Sequence, residues 1–147
     1  MATYAKIGLS SQIIDVIEVE NNACLDADGN FDENVGAEFL ANLYKWPTSC
    51  FKRADQNTRN KIHYDRETNE ASADQSKAFR KHCAELGGTY DSVRDVFLPK
   101  QPYASWTFNY STWYWEPPVE KPADVVDGVP RIVRWNEETI SWDVINS

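Results

Sequence analysis

Residues 86–118, Leu-Gly-Gly-Thr-Tyr-Asp-Ser-Val-Arg-Asp-Val-Phe-Leu-Pro-Lys-Gln-Pro-Tyr-Ala-Ser-Trp-Thr-Phe-Asn-Tyr-Ser-Thr-Trp-Tyr-Trp-Glu-Pro-Pro, crowd aromatics and prolines around two short alternating runs. Side chains alternate along a strand, so a hairpin over 106–115, folded about Asn109–Thr112, sets Phe108 opposite Trp113 and Trp106 opposite Trp115. All four rings then share one face, and Thr107 and Tyr114 take the other. Asn109 opens the loop with a side chain that bonds backbone two residues on. A hairpin of this size is barely stable alone and must lie against something.

Working outward, the same pattern recurs. Tyr90-Asp91 is followed by Phe97, Phe108-Asn109 by Trp115, and Trp135-Asn136 by Trp142, each time seven residues after the first ring. The last copy, folded about Asn136–Thr139, places Val133, Trp135, Ile140 and Trp142 on one face with Arg134 and Ser141 opposite. The intervals between copies are 18 and 27 residues, whereas a solenoid keeps a fixed period. These are separate hairpins built alike. Tyr64-Asp65-Arg66-Glu67-Thr68 echoes the pattern but has Ala71 where a ring is wanted, so it is not counted as a copy.

With 147 residues, the chain is long enough for a core without staples. Aromatics make up 13% and mean hydropathy is −0.61, so rings are expected to carry the core. A net charge of −8 argues against binding nucleic acid or anionic membranes through a cationic face. Lys77, Arg80, Lys81 and His82 form the one basic cluster, read as a solvated helix face. Cys24, Cys50 and Cys83 lack any CxxC spacing, which fits free thiols in a reducing compartment. The N-terminal run has no apolar leader core, so synthesis in the cytoplasm is expected.

In chain order, 4–9 and 13–19 read as a strand pair turning at Ser10-Ser11-Gln12, with Asp15 and Glu18 marking the second as an edge or half-exposed strand. Asp26–Asp32 is acidic, but neither register puts glycine at six and glutamate at twelve of a calcium loop, so it reads as a turn. A helix is expected over Asp32–Lys45, capped by Asn30 or Asp32 and stopped by Trp46-Pro47. Its stripe Val35, Phe39, Leu40, Leu43 and Tyr44 is expected to pack into the core. Short strands are expected at 50–53 and 61–64 around a polar loop, and a short helix over 74–83. His63 and His82 have no metal-ligand spacing. Residues 116–130 read as an extended crossing stiffened by Pro117-Pro118. The expected fold class is α+β, mainly β: several short antiparallel hairpins with one or two packed helices. A compact domain is expected over 1–130, with 131–147 as a C-terminal hairpin module.

The run Phe79-Arg80-Lys81 through Gly88-Thr89-Tyr90-Asp91, Arg94-Asp95, Phe97-Leu98-Pro99, Pro102-Tyr103 and Ser105-Trp106 resembles a motif of small, uncharacterised proteins of marine tailed phages, cyanophages especially. The opening strand pair, the start of the helix and the closing Trp135-Asn136-Glu137 with Trp142 extend the likeness over most of the chain. His82-Cys83, Glu85-Leu86-Gly87 and Lys100-Gln101 depart from the usual pattern. The resemblance implies a virion structural accessory: a capsid-surface decoration (knob) protein bound to the major capsid protein or another virion protein, or else a tail or fibre component. Homo- or hetero-oligomeric contacts on the particle are compatible with it.

Interfaces are enriched in Trp, Tyr and Arg, so Tyr103, Trp106, Tyr110, Trp113 and Tyr114 are the interface candidates, with Tyr110 and Tyr114 expected to point outward. A carbohydrate-binding module, stacking sugars on exposed rings, is the competing reading. Catalysis is not expected: the sequence carries no nucleophile elbow, phosphate loop or metal cluster, and Glu137-Glu138 reads as a solvated turn. No cofactor and no metal are expected.

Overall fold

The computed structural model describes residues 1–146, which divide into two compact units at Lys100/Gln101. The expected boundary at 130/131 falls inside a strand of the second unit.

In the first unit, β1 (Ala2–Ile7) is the centre of a three-stranded antiparallel sheet, between β2 (Ile13–Val19) and β3 (Phe51–Ala54). The expected strand pair and the edge position of β2 are both present. Alternation sends Ala2, Tyr4 and Phe51 to one face and Ala5, Ile7 and Ala54 to the other.

The first face is covered by α1 (Glu33–Tyr44), whose N-cap is Asp32, accepting the Asn34 N–H at 2.8 Å. The helix lies where it was expected, but turned about its axis. Gly36, Ala37 and Leu40 face the sheet, while Phe39 and Leu43 are 46% and 63% exposed. The cause is a close approach. A Cβ on Gly36 would stand 2.3 Å from Tyr4 Oη and 2.7 Å from Cys24 Sγ, and Tyr4 Oη donates to the Glu33 carbonyl at 2.8 Å. Small residues must face a sheet this near, so the large ones turn outward.

Along the remaining chain, β4 (Thr58–Arg59) and β5 (Ile62–His63) form a tight hairpin through Asn60 and Lys61, both at positive φ. Hairpin β6 (Thr89–Asp91) with β7 (Val96–Leu98) supplies Phe97, fully buried against Ala5, Ile7, Ile13, Ala54 and Ala84 on the second face of the sheet.

No helix forms over 74–83; one tight turn at Phe79–Lys81 stands in its place. Arg80 and Lys81 take positive φ, and Arg80 is drawn inward. Its Nη1 reaches Glu33 Oε1 at 2.7 Å and the Arg53 carbonyl at 2.9 Å, and its Nε reaches Asp95 Oδ1 at 2.9 Å. His82 is also buried. Of the supposed basic surface, Arg80 is therefore an internal lock joining α1, β3 and the β6–β7 turn, while Lys77 and Lys81 remain exposed. All three cysteines are free thiols, Cys24 buried and the others half-buried.

The second unit holds β8 (Thr107–Asn109) paired with β9 (Tyr114–Glu116), then a three-stranded sheet of β10 (Val125–Val126), β11 (Val129–Asn136) and β12 (Ser141–Asn146) with β11 in the middle. The extended crossing expected over 116–130 is interrupted by a hairpin at Asp127-Gly128, both residues at positive φ. Asp-Gly between valines is the composition such a turn favours. Helix and strand content, with one α-helix and several small antiparallel sheets, make this a mainly-β α+β fold.

Candidate functional site

One local solution builds most of the molecule's hairpins. An aromatic residue is followed by Asp or Asn, a four-residue loop closes with its last residue in the left-handed region, and the strand returns to place the residue seven positions on opposite the ring. Tyr90 faces Phe97, Phe108 faces Trp115 and Trp135 faces Trp142. The fourth loop residues are Asp95, Trp113 and Ile140, with φ of 55°, 63° and 51°. In each, the Asx oxygen takes backbone N–H groups of the loop: Asp91 from Val93 and Arg94, Asn109 from Ser111 and Thr112, Asn136 from Thr139. The Asx residue is thereby the last of its strand.

That shifts the expected loops by one residue, from Asn109–Thr112 to 110–113 and from Asn136–Thr139 to 137–140. Phe108 consequently lies opposite Trp115, not Trp113, and Ile140 joins the turn. The echo at Tyr64 is a true fourth copy. Asp65 Oδ1 accepts from Glu67 and Thr68, Asn69 has φ 57°, and Tyr64 bridges Ala71. A second ring is not required, because the Asx and left-handed positions set the turn.

The ring-rich face splits into two clusters. Phe108 is buried under Tyr110, Trp113 and Trp115, all edge-on, at centroid distances of 5.0, 5.3 and 5.1 Å. Trp106 instead joins Tyr103, Trp135 and Trp142, with Trp106–Trp135 edge-on at 5.8 Å and Trp135–Trp142 at 5.2 Å. Of the five interface candidates, Tyr114 is 59% exposed and Tyr103 39%. Trp106 and Tyr110 are half-buried. Trp113 is 4% exposed and serves the core of its own hairpin. Tyr110, expected to point outward, lies over Phe108.

Glu137 is not a merely solvated turn residue. It accepts from Ser105 N at 3.0 Å, Ser105 Oγ at 2.5 Å and Trp135 Nε1 at 2.9 Å, clamping the 103–106 segment onto the last hairpin. These hydrogen bonds, from Ser105 first and Trp135 next, hold its carboxyl below the usual range. Trp142 Nε1 ties Val119 to the same hairpin at 2.8 Å. Nothing in the local sequence announces this clamp, since Ser105 is 32 residues away.

Beyond the clamp, the sheet exposes apolar side chains on both sides, interrupted by Arg131 on one face and by Arg134 with Asp143 on the other. Val125, Pro130, Ile132 and Ile145 share one face; Val126, Val129, Val133 and Val144 share the other. Val125, Val129 and Ile132 are 55%, 58% and 54% exposed. The outer edge of β12 is open along Ser141–Asn146.

Two polar groupings in the first unit invite a chemical reading. His63 Nδ1 lies 2.9 Å from Ser72 Oγ, and its Nε2 lies 3.5 Å from Asp55 Oδ1. The order is that of a hydroxyl, a base and an acid. Yet Asp55 Oδ1 already accepts the Asn57 N–H at 2.8 Å, and Ser72 N donates to the His63 carbonyl. Neither the cleft beside Arg53 nor the smaller one beside Arg59 is lined by Ser72 or His63. The three residues latch the hairpins.

His82, Cys83 and Glu85 each offer a ligand atom within 4.8 Å of the others. However, His82 Nδ1 accepts the Asn60 N–H at 3.2 Å, so its free ring nitrogen carries the proton. Burial, and next the Glu85 charge, push the Cys83 thiol up, away from the thiolate a metal needs. The donor set does not suit a metal as it stands.

Among the described residues no helix is long and apolar enough to cross a membrane. No family model matches the chain, and neither a curated protein nor a solved structure matches it.

Proposed function

We propose that this protein is a structural accessory of a tailed-phage virion, a capsid-surface decoration protein that works by adhesion to the shell and not by turnover of a substrate. The observation that carries this reading is the set of exposed apolar side chains on the sheet of the second unit. A three-stranded sheet gains stability by burying a face, and an apolar patch left open with a free strand edge suits docking onto another protein. Ile132, Ile145, Val125 and the β12 edge would make the contact with the major capsid protein or another virion protein. The phage-protein resemblance of residues 79–106 supports the same reading.

The carbohydrate-module reading draws less support. Its exposed phenols, Tyr103 and Tyr114, do not form one platform: Tyr103 belongs to the Trp106 cluster, and Tyr114 makes no ring contact among the described residues. A tail or fibre position would rest on the same sheet with a different partner.

The test is fractionation. Purified particles stripped of their tails should retain the protein, and Ile132→Asp with Ile145→Asp should release it from the shell. Recovery solely with tails or with free protein would overturn the capsid assignment.

A further inference from the structure

The first unit contains an open cleft of about 500 Å³ where the starts of β1 and the end of β3 meet the 55–57 turn. Its wall carries Arg53, Arg66 and Lys77. This is the reverse of the molecule's overall sign, since the chain as a whole has a net charge of −8. None of the three makes an ion pair with a carboxylate among the described residues, whereas Arg80, Arg94 and Lys121 do. Asp74 feels the charge of Lys77 only in addition to its own turn hydrogen bonds.

The wall also holds two carboxylates, Glu18 and Asp55, so cations outnumber acids three to two; Asp55 accepts the Asn57 N–H and faces His63.

Arg53 is held in place. Its guanidinium is sandwiched between Phe31 and Phe79, at 3.8 and 4.2 Å from the ring centroids. With both flat faces covered, only the planar edge with its N–H donors remains for a ligand, and a planar fork suits an oxyanion. Arg66 stands on the rigid four-residue turn after Asp65, and Lys77 on the segment leading to Phe79. The Arg53 guanidinium is thus fixed by packing before any ligand arrives, which lowers the ordering cost of binding, whereas Arg66 and Lys77 are exposed and close on the ligand from the rim.

We propose that this cleft binds a phosphate or sulfate group carried on a molecule of sugar size. The volume lies within the range of small-ligand sites. A polyanionic nucleic-acid backbone is disfavoured, because the chain's net charge of −8 would repel it. The assignment stands apart from the docking sheet, which belongs to the other unit.

Isothermal calorimetry on the full chain at low salt, with glucose 6-phosphate, glucose 6-sulfate and neutral glucose as probes, tests it. At least one charged probe should bind and glucose should not; the stronger of the two charged probes identifies the oxyanion. The double variant Arg66→Gln, Lys77→Gln changes two exposed side chains, so its circular dichroism should match the parent. Its affinity should fall about tenfold or more, the loss expected for charge-assisted hydrogen bonds. Absence of binding by both charged probes, equal binding of glucose, or a variant as tight as the parent would each overturn the proposal.

Discussion

Residues 1–100 and the chain from 101 onward reach stability by different routes. The first unit layers a helix and a hairpin on the two faces of one sheet, burying Tyr4, Ile13, Leu40, Phe51 and Phe97 almost completely. The second is too short to make layers. Among its described residues the buried hydrophobics are Phe108 and Trp113, and it relies on clustered rings that bury large areas per residue. Five of the six tryptophans lie there, Trp46 being the exception. A short chain with large side chains closes its hairpins yet leaves its sheet faces bare, and those faces are where a partner gains most.

The largest expected effect falls on the lock of the first unit. Arg80→Met removes one cation and leaves Glu33 and Asp95 facing each other's surroundings without it. We expect a loss of about 3 kcal/mol, toward the low end for breaking a buried pair because Asp95 keeps water. Urea unfolding followed in the far ultraviolet measures it. A variant as stable as the parent would mean that Arg80 is packed, not paired.

In the second unit the comparable change is Trp135→Ala. It removes a ring that contacts Tyr103, Trp106 and Trp142 and that donates to Glu137. About 2 kcal/mol is expected from ring pairs of order 1 kcal/mol each, with collapse of the near-ultraviolet tryptophan signal. Retention of that signal would show that the cluster does not hold the unit together.

Acid separates the two regions by pH. Burial holds His82 below the ordinary histidine value, against the pull of Glu85. As pH falls through about 6.5, the unfolded chain takes up the proton first. The stabilising difference is therefore full above that pH and lost below it. The second unit has no histidine, and Glu137, held low by Ser105 and Trp135, gives up its contribution only below about 4.5. Far-ultraviolet stability should therefore begin to fall near neutral pH while tryptophan fluorescence holds to lower pH. His82→Asn, which keeps an acceptor for Asn60, should remove the earlier decline; an unchanged profile would assign that decline elsewhere.

The two regions also differed in how far their sequences could be read. Period-two alternation and the Asx residues marked β1, β2 and the hairpins, and Asp32 marked the start of α1. The rotation of α1 was hidden because it depends on Tyr4 reaching Glu33 across 29 positions. The 74–83 segment reads as helical by composition, but Arg80 is drawn to Glu33 and Asp95, which are distant in sequence. The Glu137 clamp was hidden for the same reason. The Asp127-Gly128 pair is itself a turn signal, but the prolines around it read as extended chain. The cleft could not have been foreseen, since Arg53, Arg66 and Lys77 share no spacing.

The smallest expected effect bears on the repeated turn itself. Its closing position is left-handed in all four copies, and the first unit fills it with Asn69 and Asp95, residues that tolerate this geometry through their short polar side chains. The second unit fills it with Trp113, whose ring packs on Phe108 at 5.3 Å, and with Ile140, which is β-branched and 43% exposed. A β-branched residue is among the poorest choices for positive φ. Ile140 also has little burial to offset the cost, which is about 1–2 kcal/mol for an L-residue held there. Ile140→Asn should therefore stabilise the last hairpin by about 1 kcal/mol, after allowing for the apolar contact it gives up. Melting followed by tryptophan fluorescence should rise accordingly, while Trp113→Asn, which discards a buried ring at the equivalent position, should lower it. If Ile140→Asn also lowered it, the isoleucine side chain would have to be making an apolar contact worth more than the strain of its backbone.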